Sequence, residues 1–225
     1  VRRGTTGRRG PVDQGNALNQ SPQIALVDYG MGNLASVAKG LERVGGRVTV
    51  TGEPEVVRRA GAIVLPGVGA FRDAASRLRT TGLADALLDR LAGGVPFLGV
   101  CLGLQLLFES SGEGGRWPGL GVLAGTVERL PTDLKVPQIG WNELEWRPAG
   151  ALMAAGLPVP AYVYFVHSYA ARPADPGVVA AVTDYGGEVV AAVARENIWA
   201  MQFHPEKSSS VGLRLLAGFI AFASR

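Results

Sequence analysis

The sequence predicts an α/β fold: a mostly parallel central sheet flanked by helices, with additional antiparallel strands in the C-terminal half. Three observations predict it. Short apolar runs alternate with segments of helical spacing through roughly the first hundred residues. Strand-like runs separated by turns crowd the stretch after Gly112. No internal repeat or linker breaks the chain between Ile24 and Arg225. At 225 residues the chain is long enough to bury a full core without disulfides or metals.

Residues 1–23 are rich in Gly, Arg, Thr, Asn and Gln and lack apolar periodicity. They bury too little to offset the entropy of ordering, so they predict a disordered N-terminal extension before a single domain over 24–225. They show neither the apolar core of a secretory signal nor an amphipathic stripe. The formal charge of +3 comes from this tail, where Arg2, Arg3, Arg8 and Arg9 stand against Asp13 alone. The folded body is therefore close to neutral, which argues against a nucleic-acid groove.

Within the domain, Ile24 to Asp28 predicts a strand, followed by a Gly-rich turn and a helix over Leu34 to Val44. Val48 to Thr51, Ala62 to Leu65 and Phe97 to Val100 predict further strands, with helices at Arg72 to Arg79, Leu83 to Ala92 and Leu102 to Phe108. The near-continuous apolar stretch from Leu91 to Phe108 is not a membrane span, because Gly93, Gly94, Pro96, Gly99 and Gly103 interrupt it. Then Val122 to Leu130, Ile139 to Trp146, Tyr162 to Ser168, Val178 to Thr183, Val189 to Arg195 and Ile198 to Phe203 read as strands. Ser209 to Ala223 closes the chain as an amphipathic helix.

The single cysteine cannot form an intrachain disulfide and fits a reducing, cytoplasmic setting. It lies in Gly99-Val100-Cys101-Leu102-Gly103, where a strand runs into a helix through a tight turn shaped like a nucleophile elbow. Such a turn lifts the side chain clear of the sheet, and a helix N-terminus favours thiolate. A packed structural cysteine fits the same local pattern. Only two histidines exist. His204 sits in Phe203-His204-Pro205-Glu206, where residues two apart in an extended segment share a face. Glu206 can thus orient His204 toward a thiol, giving a Cys-His-acid arrangement; a strand-end histidine beside a solvated glutamate is the plainer alternative. Pro66-Gly67-Val68-Gly69-Ala70-Phe71 follows a strand beside the elbow, and its amides could stabilise an oxyanion or simply form a turn.

Together these residues resemble the class I glutamine amidotransferases over roughly Ile24 to Phe222, and among them the amidotransferase subunits of imidazole glycerol phosphate synthase. The resemblance is carried by Asp28-Tyr29-Gly30-Met31-Gly32-Asn33, Leu65 to Phe71, Gly99 to Gln105, Tyr164 to Tyr169 and Gln202 to Ser208. Pro-Gly-Val-Gly, in place of the Pro-Gly-Gly of other class I members, narrows the likeness to that subfamily. So does Val136-Pro137-Gln138-Ile139-Gly140-Trp141-Asn142, which departs from the subfamily in having Gln138 where histidine is usual. That departure lies outside the triad and bears on the loop's ligand or partner contacts.

The resemblance implies a flavodoxin-like fold of the class I amidotransferase type and hydrolysis of glutamine to glutamate and ammonia. Cys101 would be nucleophile, His204 base and Glu206 its orienting acid. The oxyanion would be held by the amides of Leu102 and of Val68 or Gly69, and the amino-acid end of glutamine by Gly69, Gln105, Glu113, Ser168 and Tyr169. The implied partner is a (β/α)₈ cyclase subunit forming a heterodimer and receiving the ammonia for histidine biosynthesis. Asn33, Trp141, Tyr164 and Lys207 would face it, and its ligand would switch the glutaminase on through a peptide rearrangement in Pro66 to Gly69. No cofactor or metal is implied; one Cys and two His offer no usual metal-ligand spacing. No nucleic-acid or membrane partner is implied either. A dinucleotide-binding oxidoreductase competes on Gly30-x-Gly32-x-x-Ala35 with Glu53 downstream, but leaves Asn33 and the triad without a role. An amidotransferase of another pathway and an inactive interaction subunit are the other rivals.

Overall fold

The computed structural model describes residues 22–225. The extension expected over 1–23 lies outside them except for its last two residues, and Gln23 already belongs to the first strand.

The first half follows the expected alternation: β1 (Gln23–Val27), α1 (Leu34–Arg43), β2 (Arg47–Thr51), α2 (Pro54–Arg59), β3 (Ala62–Leu65), α3 (Phe71–Thr80), α4 (Leu83–Ala92), β4 (Phe97–Val100) and α5 (Leu102–Gln105). Only α2 was not anticipated. Its signals are Pro54 in the first turn and the Glu55–Arg58 pair three residues apart, which bond at 2.6 Å. The middle of the chain holds β5 (Phe108–Ser111), β6 (Trp117–Pro118), β7 (Leu123–Arg129), β8 (Gln138–Glu143), β9 (Glu145–Trp146), the short α6 (Ala151–Ala154), β10 (Tyr162–His167) and β11 (Tyr169–Pro173). The chain ends with β12 (Val179–Asp184), β13 (Glu188–Arg195), β14 (Ile198–Met201) and α7 (Ser209–Ala223).

The central sheet has the order β2-β1-β3-β4-β14-β13-β12-β9. The first five strands are parallel and the last three antiparallel. β3, β4 and β14 are wholly buried, as parallel strands covered on both faces must be. Alternate residues serve opposite layers. Ala25, Ile63, Leu65 and Phe97 pack with Leu78, Leu83 and Leu87 of α3 and α4; Leu26, Val64, Leu98 and Val100 pack with Leu41 of α1 and Leu215 and Phe219 of α7. A second sheet, β11-β7-β5-β6, and the antiparallel pair β10-β8 complete the domain. No helix among the described residues is long and apolar enough to cross a membrane.

Two of the expected elements end differently because long-range pairing overrides local pattern. The strand expected over Ile139 to Trp146 is two: β8 pairs with β10, the buried Leu144 donates to the Ala161 carbonyl, and β9 crosses to β12. The helix expected over Leu102 to Phe108 stops at Gln105. The Leu106 and Leu107 carbonyls are taken by the amides of Leu120, Val122 and Leu123, and Phe108 pairs with Leu123.

Candidate active site

Because β3, β4 and β14 are parallel neighbours in register, with Leu65 opposite Gly99 and Val100 opposite Met201, their C-terminal ends open side by side. In open α/β sheets that edge is where ligands bind. The Pro66-Gly67-Val68-Gly69 loop, Cys101 and the Gln202–Glu206 segment therefore converge although up to 140 residues separate them.

Cys101 has φ 54° and ψ −106°, a conformation that costs a non-glycine residue about 1–3 kcal/mol and persists only where its surroundings enforce it. The surroundings here are tight. Its amide donates to the Met201 carbonyl at 2.7 Å. A Cβ on Gly103 would overlap the Leu65 carbonyl oxygen, and one on Gly99 would stand 2.8 Å from the Gly103 carbonyl. Since α5 is a single turn, the polar surroundings of the Cys101 sulfur come from individual groups more than from a helix dipole. One is Gln202, fully buried, whose Nε2 donates to Cys101 Sγ at 3.7 Å while its Oε1 accepts from Gln105 at 3.1 Å. Sequence reasoning did not single out Gln202. Its only signal is an amide two residues ahead of His204, at the end of an otherwise apolar strand.

His204 is buried, and its Nδ1 meets Glu206 Oε1 at 2.8 Å. The pairing arises differently from the extended segment expected: β14 ends at Met201, and Pro205–Lys207 form one turn of 3-10 helix that folds Glu206 back beneath the ring. The His204 amide donates to the Tyr164 carbonyl at 3.0 Å and its carbonyl accepts from Ser208 Oγ at 2.6 Å, which holds the turn. Among the described residues Nε2 has no hydrogen-bond partner, and Cys101 is the group whose approach acts on the ring besides Glu206. Burial disfavours a charged ring, but contact with Cys101 and Glu206, and their charges, outweigh it and raise the pKa from 6.5 to about 9. The arrangement thus favours a protonated His204 ring.

A cavity of about 300 Å³ opens in front of Cys101 and Leu102. All the other glutamine-binding and oxyanion residues expected from sequence line it: Val68, Gly69, Gln105, Glu113, Ser168 and Tyr169. Among the described residues Glu113 is the only carboxylate lining it, and Oε2 accepts from the Phe71 amide at 2.8 Å, tying the cavity's lip to the end of the 66–70 loop. Gln105 Nε2 donates to the Tyr169 carbonyl at 3.0 Å. The Leu102 amide is held at 3.4 Å by the Gly67 carbonyl, a long bond near the limit of what counts as one. Val166 and His167 also line the cavity and were not anticipated.

His167 explains where Gln138 falls. Gln138 lies not in a loop but at the start of β8, is fully buried, and its Oε1 meets His167 Nε2 at 2.9 Å. Burial, and then the charge of His204, lower the His167 pKa to about 4 against the opposing bond to the Tyr169 carbonyl. One histidine of the site is thus held charged and the other neutral. Three of the four expected partner-facing residues form one surface cluster. Trp141, 51% exposed, meets Tyr164 edge-on at 6.1 Å, and Lys207 Nζ lies 5.9 Å over the Tyr164 ring. Asn33 is exposed at the start of α1.

Comparison with known proteins bears on this geometry. A family model described as glutamine amidotransferase class-I matches residues 25–221. The chain is 52% identical over 203 residues to imidazole glycerol phosphate synthase subunit HisH of Nostoc punctiforme, covering 89% of this chain and 96% of that one. It is 51% identical over 198 residues to the same subunit of Rhodopirellula baltica, covering 87% and 96%. Among solved structures, a glutamine amidotransferase superposes with a TM-score of 0.72 at 24% identity over 90% of this chain and 99% of that one. PurLQS from Thermotoga maritima superposes with a TM-score of 0.74 at 17% identity over 90% and 99%. At those identities the structural likeness speaks for the fold.

Proposed function

The chain belongs to the class I glutamine amidotransferases and, among them, to the HisH subunits of imidazole glycerol phosphate synthase, and on that premise we propose how its own residues carry out the glutaminase step of histidine biosynthesis. The observation that carries the reading is the buried His204–Glu206 pair, with one ring nitrogen unpartnered, behind a strained Cys101 at the mouth of a cavity sized for an amino acid.

Glutamine enters with its ammonium group toward Glu113 and its carboxylate toward the Ser168–Tyr169 edge. Gly69 and Gln105 complete the seat. Cys101 Sγ attacks the side-chain carboxamide carbon, and the carbonyl oxygen, now negative, is received by the Leu102 amide and an amide of Val68 or Gly69. His204 gives its proton to the departing nitrogen, ammonia leaves, and a glutamyl thioester remains. His204, now neutral, takes a proton from water as it attacks the thioester, releasing glutamate and restoring the pair. Glu206 keeps the ring oriented through both steps.

At neutral pH free ammonia is mostly ammonium, which is no nucleophile, so the product must pass directly to a second site. The partner in this reading is the (β/α)₈ cyclase subunit, which uses the ammonia to make imidazole glycerol phosphate and the aminoimidazole carboxamide ribotide by-product. The Trp141–Tyr164–Lys207 cluster and Asn33 face it in a heterodimer. The Gly67 carbonyl on the Leu102 amide represents the resting state, and ligand on the cyclase favours a loop in which that amide is free. The pair works in the cytoplasm, where Cys101 stays reduced.

The test is glutamate release by the purified chain, alone and with the cyclase subunit and its ribulosyl phosphate ligand. Strong activation by the liganded cyclase is expected, with a fall of about 10⁴-fold or more in Cys101→Ala. Turnover that ignores the cyclase would assign the triad to another synthase, and none under either condition would sink the enzymatic reading.

A further inference from the structure

Tyr29 follows β1, is 4% exposed, and has no part in the chemistry above. Its hydroxyl donates to the Pro66 carbonyl at 2.9 Å, inside the loop that must supply an oxyanion amide. Burial, and then the negative charge of Cys101, hold its pKa far above the usual tyrosine value, so it remains a proton donor at any working pH. The space where Gly67 would carry a side chain is filled by this hydroxyl, and a Cβ there would also come within 3.0 Å of Leu102 Cβ. Tyr29 and Leu102 as placed thus leave room only for glycine at 67.

The two carbonyls in succession are held unequally. That of Pro66 is buried under Tyr29 at 2.9 Å, and that of Gly67 meets the Leu102 amide at 3.4 Å. The segment beyond Tyr29 lies along the same loop: Gly32 faces Gly67, and Met31 Cε stands 2.7 Å from where a Cβ on Gly69 would sit. At its far end is the exposed Asn33.

We propose that Tyr29 is a positioning residue for the glutaminase reaction: its hydroxyl fixes the Pro66–Gly67 peptide as the pivot about which the Gly67–Val68 peptide turns between blocking and completing the oxyanion site. The inference rests on the glutaminase reading above. It separates the loop into an anchored peptide and a moving one, so that rotation at Gly67 is not dissipated upstream. It also makes Tyr29 the buried connection between the Gly30–Asn33 surface and the oxyanion loop.

The experiment compares wild type with Tyr29→Phe in the complete complex with the cyclase subunit and ribulosyl phosphate ligand. Losing the bond frees the pivot, so kcat for glutamate release falls roughly fivefold to tenfold and the activation ratio shrinks. KM for glutamine stays within twofold, because no cavity wall is altered. Inhibition by an aldehyde analogue of glutamine, whose adduct with Cys101 places an oxyanion in the same site, weakens by the same factor as kcat. A tyrosine that only fills the core would lower the melting temperature and leave kcat, the activation ratio and aldehyde binding within twofold, which overturns the proposal. A wild type that releases no glutamate would overturn the glutaminase reading and Tyr29's role with it; a responsive wild type beside an unaltered variant would overturn Tyr29's role alone.

Discussion

The nucleophile wall and the wall that faces it are built to opposite specifications. On the first, Cys101 is held by backbone and by glycines that admit no atom more: its own amide on Met201, Gly103 against Leu65, Gly99 against Gly103. On the second, the Pro66–Gly69 loop closes the site with a 3.4 Å bond, and Val68 is 43% exposed. The charge states of the two histidines differ too. His204 carries its proton, while His167, near enough to feel its charge, is kept neutral. The Pro66–Gly69 loop is thus the less constrained of the two walls, and the part that a change of conformation would move first.

Paired glycine substitutions make the sharpest test of that contrast. Gly103→Ala must displace the Leu65 backbone and should destabilise the fold by about 3 kcal/mol or more. Gly69→Ala meets only the flexible end of Met31 at φ +102° and should cost about 1–2 kcal/mol while lowering partner-activated turnover. Denaturant midpoints measure both, and equal losses would dissolve the distinction.

The two histidines predict opposite pH signatures. The His167 pKa is lowered from 6.5 to about 4, so its stabilising contribution is present above 6.5 and is lost as the unfolded chain takes up a proton that the folded one refuses. Acidification from pH 7 to 5 should cost wild type about 2 kcal/mol more than it costs His167→Gln in urea unfolding. The raised His204 pKa acts in reverse: its contribution is complete below 6.5 and is lost as pH rises through about 9. Parallel acid responses in wild type and His167→Gln would show that His167 charges in the folded state.

The smallest effect expected is at Gln202. Gln202→Leu removes the amide donated to Cys101 Sγ and should lower kcat about tenfold. The same variant should slow the alkylation of Cys101 by iodoacetamide. An unchanged alkylation rate would mean that the Gln202 amide does not act on the sulfur.

How much of this was legible in the sequence follows the range of the forces involved. β3, β4 and α4 have the expected limits because four-residue apolar runs and a ten-residue amphipathic stretch are bounded by their own Gly and Pro turns. β5, β6 and β11 were missed because Phe-Glu-Ser-Ser, Trp-Pro and Tyr-Ala-Ala-Arg-Pro have no alternation of their own; β7 makes β5 and β11 strands, and β5 in turn pairs β6. In the site, Cys101, His204, Glu206 and the 66–69 loop could be named from their motifs. Gln202, Val166, His167 and Tyr29 could not, since an amide, a valine, a histidine or a phenol announces nothing until something stands beside it.

The sequence by itself determined the parallel half of the sheet, the elbow at Cys101 and the residue types of the triad, because those depend on hydrophobic period and on turn chemistry within a few residues. Only the tertiary structure decided that α5 stops after one turn, that Glu206 reaches His204 through a 3-10 turn, and that Gln138 is buried against His167. It also decided that the Pro66 and Gly67 carbonyls are held unequally. Each of these is a hydrogen bond or a pairing between distant segments, except the 3-10 turn, which is local but is held by the His204 amide on the distant Tyr164 carbonyl; such partners appear only when the chain has closed.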